Sequence, residues 1–100
     1  MKQEFRAAVK VARKDKFDPL LMALKLAEET GELAEATLAA AGYKPGKVMK
    51  EPMEGEAADV ILCAIAVITK AYPNDSVDEI VDRIAAQMTL KTDKWLKKIS

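Results

Sequence analysis

Ala57-Ala58-Asp59-Val60-Ile61-Leu62-Cys63-Ala64-Ile65-Ala66-Val67-Ile68 is the stretch that decides the fold. It does not alternate with period two, and no glycine or proline interrupts it, so it reads as the body of a helix. Its apolar side chains point to every side, so other helices have to surround it. At twelve residues it is too short to span a bilayer, and it carries a carboxylate, Asp59. A chain of 100 residues holds one core and little spare helix to wrap around such an element. The expectation is that further copies of the chain supply the missing cover, in a homodimer or homotetramer.

Toward the C-terminus, Tyr72-Pro73-Asn74 closes this third helix, which begins near Glu54 and ends near Ala71. Ser76, with Glu79 three residues on, forms a capping box that opens a fourth helix. Val77, Ile80, Val81, Ile84, Met88 and Trp95 recur along it at helical spacing. In the other direction, Tyr43 to Gly55 holds Pro45, Gly46, Pro52 and Gly55 and reads as loop for part of its length. Before it, Leu20 to Ala41 is a run of good helix formers, opened by Asp18 as N-cap with Pro19 at the first helical position and ended by Gly42. A first helix over residues 3–15 puts Phe5, Val9 and Ala12 on one side. The sum is a single all-α domain over residues 1–100, a four-helix, bundle-like fold.

Composition removes whole classes of chemistry. The chain has no histidine, which excludes histidine general bases, Ser-His and Cys-His pairs, and His-ligated zinc. Sixteen basic residues cancel sixteen acidic ones, so no global field favours a nucleic-acid duplex. The lone Cys63, inside the apolar run, reads as a small buried hydrophobe in a reducing compartment. The charged N-terminal stretch has no apolar signal region, so the expectation is a cytoplasmic protein without membrane or nucleic-acid partners.

The carboxylates are what this fold should not tolerate. On the second helix Met22, Leu26 and Leu33 mark the inner face; Glu29 falls at its edge and Glu32 beside Leu21 and Ala36, while Glu28 and Glu35 point further out. From Leu26 to Tyr43 there are four acids and no Lys or Arg, and like charges three or four residues apart each cost a few tenths of a kcal/mol. On the third helix Glu56 and Asp59 share one face, and no basic residue lies between Glu54 and Thr69 to pair with them. A buried carboxylate is normally paired, protonated or bound to metal. Packed face to face, Glu29-x-x-Glu32 and Glu56-x-x-Asp59 converge four carboxylates between the two central helices. An all-oxygen donor set suits a hard cation, Mg²⁺ or Mn²⁺. A di-iron bundle site would need Glu-x-x-His on two helices.

Lys25-Leu-Ala-Glu-Glu-Thr-Gly-Glu-Leu-Ala-Glu-Ala36, followed by Glu56-Ala-Ala-Asp59, resembles the EExxE…ExxD pattern of the MazG-like nucleotide pyrophosphohydrolases. These belong to the all-α NTP pyrophosphatase superfamily, and the resemblance extends over residues 18–96. It implies a Mg²⁺-dependent enzyme, completed by oligomerisation, that hydrolyses a nucleoside triphosphate between the α- and β-phosphates to the monophosphate and pyrophosphate. By motif position Glu29, Glu32, Glu56 and Asp59 become the metal ligands, Glu29 or Glu32 the group that takes the proton of water, and Glu28 a helper. Members of the family often carry Lys, then Asn four residues on, then a basic residue three later; here Gln87, Lys91 and Lys94 stand at those places. Lys91 and Lys94 are thereby candidates for holding phosphate, and Trp95 for stacking on a base. Lys44, Lys47 and Lys50 in the loop read as solvated, and Gly31 as room for a neighbouring helix or ligand. Two other readings compete: a phosphoribosyl-ATP pyrophosphohydrolase, which shares the metal logic, and a non-enzymatic helical interaction module.

Overall fold

A computed structural model describes residues 2–44, 46 and 51–100, which leaves Pro45, Lys47 and Lys50 of the loop outside the described residues. The described residues form four helices and no strand: α1 (Lys2–Lys14), α2 (Pro19–Ala40), α3 (Met53–Ala71) and α4 (Val77–Ile99). None of these helices is long and apolar enough to cross a membrane.

The boundaries follow from local chemistry. The Asp18 carboxylate accepts from the backbone N–H groups of Leu20 (2.8 Å) and Leu21 (3.2 Å), satisfying donors that a helix start leaves free. At the far end of α2, Gly42 adopts φ 85°, the left-handed conformation that costs glycine nothing. There the Gly42 N–H donates to Ala39 O and the Tyr43 N–H to Leu38 O, the paired bonds of a Schellman stop. Ser76 and Glu79 exchange their expected bonds at the start of α4, at 3.1 and 3.0 Å. The turn between α3 and α4 is held from outside by Arg13, whose guanidinium donates to the carbonyls of Tyr72, Pro73 and Asp75.

α3 is the centre of the packing. α2 lies along it, and α1 bridges it to α4. One core cluster joins Val9 of α1, Ile65 of α3 and Ile80 and Val81 of α4; another joins Ala12, Met22, Cys63 and Ala66. Thr69, the one buried hydroxyl among these contacts, donates to Ile65 O at 2.8 Å and so carries no unpaired donor. Full burial of a side chain such as Ile80 contributes about 1.5–3 kcal/mol.

One sequence expectation changes here. The apolar periodicity of the fourth helix reaches the core only as far as Ile84; Met88 and Trp95, on the same stripe, are exposed. The reason is geometric: α4 is anchored through its first half on α1, and its second half runs past the body of the fold. α3, apolar all round, is not fully covered by the described helices, as its pattern in so short a chain implies. Ile61, Leu62 and Ile68 stay partly open, as do Leu20, Leu21 and Leu24 on α2.

Candidate metal centre

Glu29 and Glu32 sit on neighbouring turns of α2, and Glu56 and Asp59 on the first two turns of α3. Because α2 and α3 pack along each other, both i,i+3 pairs meet. One carboxylate oxygen each from Glu29, Glu32 and Glu56 lie within 4.8 Å of one another. A second group with the same spacing is made by Glu51, Glu56 and Asp59. Glu56 belongs to both. The first turn of α3 also carries Glu54 and Glu56 where the positive end of the helix favours acids.

Burial is distributed differently from the sequence reading. Glu29 is the buried acid, with 9% of its surface exposed, whereas Asp59 is half-buried. Asp59 lies within two turns of the start of α3, where Glu51 from the preceding segment is its neighbour. Burial pushes the Glu29 carboxyl above its ordinary range, and the charges of Glu32 and Asp59 push it the same way, with Lys25 opposing. Glu51 is also raised, first by its hydrogen bond with Asp59, then by burial and by the surrounding carboxylates. The Oε2 atoms of Glu29 and Glu56 are both buried without a hydrogen-bond partner among the described residues. A carboxylate oxygen in that state calls for a proton or a cation.

Two cations flank the acidic stretch of α2. Lys25 Nζ stands 3.8 Å from Glu29 Oε1, and Lys44 Nζ 3.3 Å from Glu35 Oε1, so Lys44 is paired rather than merely solvated. Counting cations only from Leu26 to Tyr43 misses both. Glu28 is exposed and belongs to neither carboxylate group. Beyond its chain neighbours and its own helix backbone, no described residue lies within 4 Å of a Cβ placed on Gly31, so the space there is open. Cys63 is buried as expected, and burial holds its thiol above the ordinary value. Glu51 is the residue that sequence reasoning passed over: it precedes the helix, where helical spacing gives it no position.

Lys91 and Trp95 line a groove of about 710 Å³ together with Ile68, Tyr72, Ile84 and Gln87; Lys94 lies outside that lining. The groove opens against the C-terminal end of α3, while Glu56 and Asp59 occupy its N-terminal turns. From Asp59 to Ile68 the helix alone rises about 13 Å. The structure therefore gathers Glu29, Glu32, Glu56 and Asp59 in one place and Lys91 and Trp95 in another. Comparison with family models, with curated proteins and with solved structures gives no match to this chain.

Proposed function

We propose that this chain is a metal-dependent nucleoside triphosphate pyrophosphohydrolase of the MazG-like kind, releasing pyrophosphate and a (deoxy)nucleoside monophosphate. The observation that carries the proposal is the convergence of Glu29, Glu32 and Glu56 across two helices, with two buried oxygens that have no partner among the described residues. The donor set fits the ion: hard carboxylate oxygens without nitrogen or sulfur select Mg²⁺ or Mn²⁺. Glu29, Glu32, Glu56 and Asp59 would hold it. When bound, the cation neutralises charge on the phosphate oxygens and makes a water more acidic.

The chain's own residues supply the rest. Glu32, exposed on α2, lies on the side open to substrate and water. Glu29 is buried on α2, and burial raises its carboxyl, which favours proton uptake there. It accepts the proton of the attacking water, and no covalent nucleophile is required. Lys91, Lys94 and Trp95 serve phosphate and base from the exposed half of α4, in a homodimer or homotetramer that covers the open faces of α3 and α4. The exposure of Ile61, Leu62, Trp95, Leu96 and Ile99 supports that assembly.

A second reading draws on a specific contact. The 3.8 Å approach of Lys25 to Glu29 suits a structural ion pair in a helical interaction module. Assays of pyrophosphate release from the eight common nucleoside triphosphates and phosphoribosyl-ATP, in Mg²⁺ and in EDTA, separate these readings. Turnover of a nucleoside triphosphate that EDTA abolishes is the expected result. Turnover of phosphoribosyl-ATP alone moves the substrate, and no turnover with any of them rejects the enzyme.

A further inference from the structure

The turn between α1 and α2 and the last turn of α3 enclose a pocket of about 270 Å³. It is remote from the carboxylates, since α3 alone rises about 16 Å from Asp59 to Lys70. Cations line it: Arg13 at the end of α1, Lys16 in the turn, and Lys70 in the last turn of α3. Asp15 is the one acid among the lining residues, and Phe17 and Pro73 add an apolar wall.

This is not a solvated basic surface. The Lys70 side chain is only 7% exposed, and lysine is almost never that buried unless it is paired. Its ammonium carries three N–H groups. Among the described residues one of them donates to Asp15 O at 2.7 Å, while Asp15 Oδ2, at 3.9 Å, is beyond hydrogen-bond reach. The same carboxylate is shared with the backbone, because its Oδ1 accepts from the Phe17 N–H. Arg13 is fixed by donating to the carbonyls of Tyr72, Pro73 and Asp75, which orient the guanidinium without cancelling its charge. The Asp75 carboxylate itself is taken by Arg83. Helix-end carbonyls explain the placing of Arg13 and Lys70. They leave Lys70 with donors to spare, and three cations around one carboxylate leave two positive charges beside an apolar wall that weakens screening.

We propose that this pocket binds a phosphate-type dianion, either inorganic phosphate or the phosphoryl group of a small monoester, through Lys70, Lys16 and Arg13. A dianion matches the two uncompensated charges, and its oxygens give the spare Lys70 N–H groups the charge-assisted bonds they lack. The volume lies just below the roughly 300–1,000 Å³ of pockets for drug-sized organic ligands, which suits a small anion. The start of α2 is not the donor, because Asp18 already occupies the N–H groups of Leu20 and Leu21.

The test is a magnetic resonance titration of the backbone amides of the full chain in EDTA, where no metal can carry phosphate to the carboxylates. Inorganic phosphate and adenosine monophosphate are the probes, with chloride at matched ionic strength as the reference. Saturable shifts are expected at the Asp15, Phe17 and Lys70 amides with phosphate and not with chloride. Lys16→Gln, a change at an exposed residue, should weaken binding severalfold, and Lys70→Gln roughly tenfold or more. Lys98→Gln removes the same charge at the far end of α4 and should bind as wild type does. Circular dichroism establishes that each variant keeps its helices; if Lys70→Gln does not fold, Lys16→Gln against Lys98→Gln decides. Tighter binding of the monoester assigns its phosphoryl group as the ligand, tighter binding of phosphate assigns the free ion, and both uphold the pocket. Shifts no larger than those with chloride, shifts centred on Lys91 and Lys94, or equal weakening by Lys16→Gln and Lys98→Gln overturn it. Any of these leaves the metal reading untouched, because the titration contains no free metal.

Discussion

Glu29→Gln keeps the size of the most buried acid and removes its charge, so it separates a metal ligand from a structural ion-pair partner. In the metal-free chain, Glu29 shares a 4.8 Å span with Glu32 and Glu56. Two unit charges at that distance repel by about 3 kcal/mol at an effective dielectric of 20. Lys25 offsets part of this from 3.8 Å, but its side chain is half exposed, and a pair of that kind returns about 1 kcal/mol or less. Proton uptake by Glu29 and solvent screening at exposed Glu32 absorb most of the remainder. A net gain of about 1 kcal/mol is therefore expected for Glu29→Gln in EDTA near neutral pH. In a domain of this size that corresponds to a rise of about 4–8 °C in Tm. Excess Mg²⁺ should reverse the order, because wild type gains about 2.7 kcal/mol at a cation concentration one hundred times Kd and the variant gains much less. Thermal melts followed by circular dichroism, at one protein concentration, measure all four states. A variant several degrees less stable than wild type in EDTA, with wild type indifferent to Mg²⁺, refutes the reasoning and makes Lys25–Glu29 a structural pair.

Three further outcomes follow from the same geometry. The Glu29 carboxyl is raised above its ordinary 4.5, so the fold favours its protonated form. That contribution is complete below about pH 4.5 and is lost as pH rises through the raised value; melts in EDTA should show it in wild type and not in Glu29→Gln. Ile80→Ala empties a site with no exposed surface and should cost about 2–5 kcal/mol in denaturant unfolding, without altering Mn²⁺ affinity. Light scattering should find a homodimer or homotetramer that Leu62→Glu dissociates; a wild-type particle of 11.0 kDa at micromolar concentration contradicts the covered α3 face.

The parts of this molecule that are legible in sequence are those set by contacts a few residues long. Asp18-Pro19, Gly42 and the Ser76–Glu79 pair fix helix ends through their own backbone bonds, and the structure makes those bonds. The meeting of Glu29, Glu32 and Glu56 is legible because helical spacing puts each pair on one face, and only the packing of two adjacent helices is added. Depth is less legible: periodicity marks Glu29 as an edge residue and Asp59 as the acid in the greasiest run, yet Glu29 is the more buried. Which helix covers a residue is a tertiary fact, and α3 stays open where no other element reaches it. The same limit applies to α4, whose stripe continues to Trp95 although its support ends near Ile84. Glu51 was hidden for another reason. A residue ahead of a helix has no phase, and its meeting with Glu56 and Asp59 depends on how the preceding segment folds onto α3.

The central claim is that these carboxylates direct water to the α–β anhydride of a nucleoside triphosphate. Phosphorus-31 magnetic resonance of the reaction mixture, with Mg²⁺ present and then with EDTA, tests it most directly. Pyrophosphate and a nucleoside monophosphate should appear together in Mg²⁺, cease in EDTA, and be absent with Glu56→Gln. Orthophosphate and a nucleoside diphosphate in their place, or release unaffected by EDTA and by Glu56→Gln, would contradict it.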